Sequence, residues 1–446
     1  MESKPHFRQA WVVTVDMGYG HERASHALTD IAYGDPIVAN NYPGIPEHDK
    51  KLWATSRKGY EAISRFKTVP IIGNWAFEVF DRFQEIKPFY PRRDLSKPSL
   101  QVLQQYYLIE KQGLGKDLID RLRKRAMPLV CTFFLPAFAA EVFDYPEDIY
   151  LVTTDADISR AWVPKDPKRS RIKYFASNGR VVERLKLYGV LPENIFLTGF
   201  PLSKVLIGGT DVTVIKKDLG DRICHLDPNG IFYAKYRETL IRELGIENCT
   251  RVAAHKLTLT FAVGGAGAQR ELGITVAKSL REKIRRGKII LNLVAGTNKT
   301  VAKYFKKQLV EIGLGSDLGT GVNVEWWPDR KSYFLKFDQL CRRSDILWTK
   351  PSELSFYAGV GLPIIAAPPI GSQEKFNMTW LQSVGGGFAQ NNPEYTSEWL
   401  FDWVESGGLA RMAWNGYIEA PTHGAYRIEE IITGMKVELE KLPLIV

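Results

Sequence analysis

The chain has 446 residues, enough for two domains of ordinary size, and its 45% hydrophobic and 12% aromatic fractions supply real cores and exclude wholesale disorder. The formal charge is +10, and nearly all of the excess lies between Lys50 and Leu129, where 17 Lys/Arg face 8 Asp/Glu. Cys131, Cys224, Cys249 and Cys341 are scattered without a Cys-x-x-Cys pair, which argues against a disulfide framework or zinc ribbon and fits a reducing cytoplasm.

In chain order, the opening Met-Glu-Ser-Lys carries no apolar run, so no signal peptide is expected. Trp11–Val15 then reads as a strand and Arg23–Ile31 as a helix, joined by the glycine turn Asp16-Met17-Gly18-Tyr19-Gly20-His21. The stretch 50–129 interleaves basic residues with Trp53, Tyr60, Phe66, Trp75, Phe77, Phe80, Phe83, Phe89 and Tyr90. Helical spacing of Trp75, Val79, Phe80, Phe83 and Ile86 suits a core helix with solvated Lys/Arg, and the same pattern suits an anionic membrane surface. No nucleic-acid signature accompanies the charge, and nucleic acid is not expected as a partner. Pro128–Ala140 is too short to span about 30 Å of hydrocarbon and is divided by Pro136, so it reads as a buried strand, Leu129–Phe134, running into a helix. Strands at Ile149–Thr154, Lys173–Ser177 and Ile195–Thr198, with a helix at Gly179–Tyr188, complete the first half.

Gly208–Gly230 reads as irregular, on the turn signals Gly208-Gly209 and Asp227-Pro228-Asn229-Gly230, and a helix follows over Tyr233–Leu244. A second alternation begins with a strand at Lys256–Val263, a glycine turn at 264–267 and a helix at Arg270–Arg285. It continues with strands at Lys288–Val294, Val322–Trp327, Ile346–Thr349 and Leu362–Ala367, and with helices at Lys299–Ile312, Tyr333–Arg343 and Glu353–Gly359. The expected fold is α/β, with two Rossmann-like parallel-sheet domains facing a central cleft. The division is an N-terminal acceptor domain over 1–206 with the 50–129 insertion, a connection over 207–250, a donor domain over 251–422, and a C-terminal helical segment over 423–446 that returns to the N-terminal domain.

Four groups of residues can carry chemistry. His21 stands at a helix N-terminus, whose dipole disfavours the imidazolium, and a neutral imidazole at a cleft suits a general base; packing is the alternative. Asp16 ends the strand before it. Gly264-Gly265-Ala266-Gly267 lets backbone N–H groups approach a diphosphate and lacks both a Walker lysine and the dinucleotide spacing. Gly371, Ser372, Gln373, Glu374 and Asn377 crowd carbonyl, carboxylate and amide groups into one helical turn, which suits sugar hydroxyls or a plain N-cap. Asp155-Ala156-Asp157 follows a strand and is also the string with which some enzymes hold a divalent metal; no metal is expected here.

With these residues in hand, the chain resembles the GT-B glycosyltransferases, in particular the lipid-directed branch of galactolipid, diacylglycerol-glucosyl and lipid II-forming enzymes. The resemblance is carried by 16–21 with Ala24-Ser25 and Ala27-Leu28, by Asp155, and by Tyr174-Phe175, Leu185-Lys186, Tyr188-Gly189 and Thr198-Gly199-Phe200-Pro201. In the second half it is carried by 264–267, Thr349-Lys350, Gly361-Leu362-Pro363 and 371–377. It implies inverting transfer from a nucleotide sugar, commonly a UDP-sugar, to a hydroxyl on a lipid or lipid-linked acceptor, by a cytoplasmic enzyme docked on a membrane and needing no cofactor. His21 and Asp155 would be catalytic, and Asp16, Gly18, Tyr19 and Gly20 the acceptor turn. Gly264, Gly265, Ala266, Gly267, Ser352, Glu353, Gly371, Ser372, Gln373, Glu374 and Asn377 would bind the donor. Tyr19 stands where that family has glycine. Phe356 stands where it has the acidic residue that contacts ribose, with Glu353 one turn earlier as a substitute. A nucleotide-sugar epimerase or hydrolase, or a non-catalytic binding protein, is the alternative on the same scaffold.

Overall fold

The computed structural model describes residues 9–55, 86–252, 255–264, 267 and 269–439. Among the described residues, twelve strands form two six-stranded sheets in which every pairing is parallel. The first contains β1 (Trp11–Thr14), β2 (Ile37–Val38), β3 (Leu129–Cys131), β4 (Ile149–Val152), β5 (Lys173–Ala176) and β6 (Ile195–Leu197), in the order β2-β1-β3-β4-β5-β6. The second contains β7 (Thr258–Ala262), β8 (Ile290–Gly296), β9 (Val322–Trp326), β10 (Ile346–Thr349), β11 (Ile364–Ala366) and β12 (Gly387–Ala389), in the order β12-β11-β10-β7-β8-β9. The α/β class with two Rossmann-like parallel sheets is therefore the fold. Each sheet has one point at which the chain reverses its direction of growth, between β1 and β3 in the first and between β7 and β10 in the second. There the connections leave to opposite sides, the place beyond the carboxyl strand ends where open parallel sheets bind their ligands.

The chain clusters into two compact units, 1–201 with 371–376 and 423–446, and 202–370 with 377–422. In the first unit, alternate side chains feed opposite faces of the sheet. Val13, Cys131 and Leu151 join a core with the helix Phe134–Val142, while Val12, Val130, Tyr150 and Val152 join Ala425, Ile428 and Ile432 of the helix Gly424–Thr433. Both faces are covered, as an all-parallel sheet requires. The apolar run 128–140 is strand then helix, and Pro136 is the third residue of that helix, where its missing N–H breaks no intrahelical bond.

Residues 207–250, set aside from sequence as a connection, contribute Leu219, Ile223, Leu226, Phe232, Leu240 and Leu244 to the core of the second unit. The expectation of irregular chain over Gly208–Gly230 is corrected: Thr213–Leu226 is a 14-residue helix. Its buried face carries Asp218, Arg222 and His225 beside the apolar residues, and these polar side chains mask the apolar period. The two strands not expected, β2 and β12, have two and three residues, too short to show a period. Much of the basic, aromatic stretch, including Tyr60, Phe66, Trp75, Phe77, Phe80 and Phe83, lies outside the described residues. Of the rest, Trp53 and Phe89 are buried and Tyr90 is exposed. Among the described residues no helix is long and apolar enough to cross a membrane.

Candidate functional site

In the first unit the site grows from the turn after β1. Gly18 has φ 122° and ψ 164°, a region open essentially to glycine alone, and it sets the chain into the helix Tyr19–His26. The helix begins earlier than the sequence suggested, so His21 lies in its first turn. Tyr19, the departure from the glycine-rich pattern, is the buried first residue of the helix. The Asp16 backbone is held from both sides by Asn40, whose Oδ1 accepts from Asp16 N at 2.9 Å while its Nδ2 donates to the Asp16 carbonyl at 3.2 Å.

His21 Nδ1 lies 2.8 Å from the carbonyl of Thr132, which follows β3. A carbonyl can only accept, so Nδ1 carries the proton and Nε2 of the neutral ring keeps its lone pair. This contact spans the β1/β3 reversal point. Thr154 Oγ1, beyond the end of β4, lies 3.3 Å from the same nitrogen, and Asp155 is the next residue. The imidazole packs edge-on against Phe133 (centroids 4.9 Å, 71°) and lies 6.0 Å from the ring of Trp162. Sequence placed His21 and Asp155 here but offered no signal for Thr132, whose contribution is a main-chain carbonyl.

Asp157, the second acid of the Asp-x-Asp string, is fully buried. Its Oδ1 and Oδ2 accept from Arg184 Nε and Nη2, both at 2.9 Å, and Oδ2 also accepts from Arg180 Nε at 2.7 Å. Its lone pairs are thus committed to two guanidinium groups, which makes it a structural anchor and not a metal ligand.

In the second unit the glycine turn follows β7 at the β7/β10 reversal point. Gly265 and Ala266 lie outside the described residues. Gly267 N donates to the Gly264 carbonyl at 2.8 Å, closing the turn. A Cβ on Gly264 would sit 2.9 Å from Lys350 Cε and 3.7 Å from its Nζ, so the absent side chain is what lets the lysine lie over the turn. Lys350 directly follows β10; sequence placed it in a motif without giving it a role. Gln269 Nε2 donates to the Pro368 carbonyl at 3.0 Å, tying the turn to the chain beyond β11. The helix Arg270–Arg285 then begins.

Ser352 and Glu353 open the 3₁₀ segment Glu353–Val360, with Ser352 partly exposed and Glu353 buried. Phe356 is core, its ring 4.7 Å from that of Trp380. The helix Ser372–Ser383 divides between the units. Gly371, Ser372, Gln373 and Glu374, all partly exposed, cluster with the first, together with Phe376, which lies 5.4 Å beneath the Arg180 guanidinium. Asn377 clusters with the second, where it is buried and its Nδ2 donates to the Pro351 carbonyl at 3.3 Å.

No family model and no curated protein sequence matches this chain. Among solved structures it is similar to a UDP-GlcNAc 2-epimerase from Neisseria meningitidis bound to UDP-GlcNAc, at 12% identity over 75% of this chain and 89% of that one, with a TM-score of 0.44. It is also similar to Acinetobacter baumannii MurG (12% identity, 74% and 79%, TM-score 0.40) and to Anabaena Alr3699/HepE in complex with UDP and glucose (14% identity, 74% and 83%, TM-score 0.41). The fold assignment rests on this chain's own strand order.

Proposed function

We propose that this protein is an inverting glycosyltransferase that moves a sugar from a nucleoside-diphosphate sugar, most simply a UDP-sugar, to a hydroxyl acceptor, lipid or lipid-linked. The observation that carries the reading is the second unit's reversal point, where Gly264 begins a glycine turn ahead of the helix Arg270–Arg285 and the Lys350 side chain lies against it. Backbone N–H groups, a helix N-terminus and a cation at the end of a parallel strand suit a diphosphate that gains charge as it leaves.

In this reading Gly264 to Gly267 and Lys350 hold the diphosphate, Glu353 and Ser352 take the nucleoside, and Gln373 and Glu374 take the sugar hydroxyls. His21, held by the Thr132 carbonyl with Nε2 unprotonated, accepts the acceptor proton, and Asp155 supports the resulting imidazolium. Lys350 and the helix dipole supply the charge that a metal supplies elsewhere, so transfer itself needs no bound cation.

The test is to incubate the full chain with a panel of nucleotide sugars, with and without a membrane lipid extract, and to measure nucleoside diphosphate release and product. Lipid-dependent release with a glycosylated product is expected. Lipid-independent release, or epimerised sugar nucleotide, would move the chain to the epimerase or hydrolase class. Binding without turnover would make it a binding protein.

A further inference from the structure

The amino-terminal edge of the second sheet, at the opposite strand ends from the glycine turn, carries a cluster that the transfer reaction does not use. His225 is in the last turn of the helix Thr213–Leu226, Asp345 immediately precedes β10, and His255 lies just ahead of β7. Asp345 is pinned: its N–H donates to the Thr258 carbonyl at 2.9 Å, and its Oδ2 accepts from Thr258 N at 2.7 Å. His225 Nδ1 is 2.8 Å from Asp345 Oδ1, His255 Nδ1 is 3.7 Å from Asp345 Oδ2, and the two imidazole centroids are 4.2 Å apart.

We propose that His225, His255 and Asp345 form a binding site for a first-row divalent cation of the zinc class. Each side chain offers one ligand atom, and these atoms lie within 4.8 Å of one another. Tetrahedral bonds of 2.0–2.2 Å place ligand atoms about 3.2–3.6 Å apart, between the two Nδ1–carboxylate separations already present, and a cation there takes the place of the proton between His225 Nδ1 and Asp345 and of the bond from His255 Nδ1 to the Lys256 carbonyl at 2.8 Å. The His225 side chain is only 4% exposed, so a cation on its Nδ1 is shielded from solvent on that side.

Two neutral imidazoles and one carboxylate carry a net charge of −1, and Asp221, one helical turn before His225, adds a second carboxylate that acts on both rings. A nitrogen-rich, borderline-soft set of this kind favours zinc, cobalt or nickel over magnesium or calcium. The His255 side chain is 30% exposed and provides the entry path. Three ligands leave the fourth position to water. The site's distance along the strands from the glycine turn makes its role structural, clamping the segment before β7 to the helix Thr213–Leu226.

The test uses the untagged full chain after chelator treatment. Cobalt titration should give one equivalent of binding with the intense visible bands of a tetrahedral ion, displaced stoichiometrically by zinc, and zinc should raise the melting temperature. His255→Ala, at the partly exposed ligand, should leave the metal-free melting temperature close to wild type and weaken cobalt binding at least about 100-fold, since one of three ligands is lost. His255→Gln provides a second variant of similar size and should also lose the tetrahedral bands. Pale octahedral bands only, no zinc-dependent melting shift, or wild-type affinity in folded His255→Ala would each overturn the proposal. None of these outcomes bears on sugar transfer.

Discussion

Gly264→Ala tests the diphosphate reading without touching a charged group. The glycine has no positive φ, so alanine is conformationally allowed, and the three described atoms nearest the added methyl all belong to Lys350: Cε at 2.9 Å, Cδ at 3.4 Å and Nζ at 3.7 Å. Contacts below 3.0 Å are not tolerated, but the atoms that must move are the outer half of a flexible side chain. The variant should therefore melt within about 0.5–1 kcal/mol of wild type while its ammonium is pushed off the turn. A charge-assisted contact to phosphate contributes about 1.5–3 kcal/mol, which converts to a loss of about 10- to 100-fold in affinity for the nucleoside diphosphate. Titration calorimetry with UDP and GDP should show this loss for whichever binds. Lys350→Met should show at least as large a loss, and the double variant should lose no more than Lys350→Met alone, because both changes remove one contact. The uncharged nucleoside should bind all three proteins equally. Wild-type diphosphate affinity in both single variants, with the fold intact, would refute the assignment of this turn.

Three further outcomes follow from particular contacts. His21→Ala should lower turnover by about 10²-fold or more while leaving nucleoside diphosphate affinity within a factor of two or so, read from steady-state kinetics beside calorimetry; unchanged turnover would make His21 a packing residue. Asp157→Ala leaves Arg184, fully buried, without its carboxylate, and should cost about 3–5 kcal/mol in urea unfolding, against under 1 kcal/mol for Asp120→Ala, whose ion pairs are exposed. Glu325, on β9, has its carboxyl pushed above the ordinary value of 4.5 by burial alone. The charged form is therefore the destabilised one, so Glu325→Gln should be more stable than wild type at pH 7–8. That advantage should shrink as pH falls through the raised value and be gone below 4.5, where folded and unfolded chains both hold the proton. Melting curves across pH read it directly.

Strand alternation was legible because long buried strands such as Thr258–Ala262 and Ile346–Thr349 are bounded by glycine, proline and charged residues. The helix Arg270–Arg285 was legible because its apolar residues hold a clean period against Lys and Arg. The helix Thr213–Leu226 was not, because residues chosen for polar bolting stand where a pattern reader expects leucine. At the candidate site the glycine turns and His21 announced themselves by residue type. Thr132 did not, since its part is played by a carbonyl 111 residues away, brought to His21 only once β1 and β3 are known to pair. Lys350 was visible as a residue, but its task depends on β10 lying beside β7.

The helix Thr213–Leu226 also explains how the amino-terminal side of β10 is fastened. Asp218, Arg222 and His225 recur at four and then three residues, one face of the helix. Asp218 pairs with Arg342 at 3.0 Å, and His225 meets Asp345. Arg222, fully buried and without a carboxylate in hydrogen-bond contact, donates instead to the carbonyls of Cys341, Ser344 and Val360. Those carbonyls end the helix Arg330–Arg342, the turn into β10 and the 3₁₀ segment after it. One side chain thus satisfies orphan acceptors from three successive elements, and burial lowers its pKa without removing its charge. Polar fastening is concentrated on the helix and amino-terminal side of β10. The carboxyl end of the same strand then presents the Lys350 side chain to Gly264 from a fastened base.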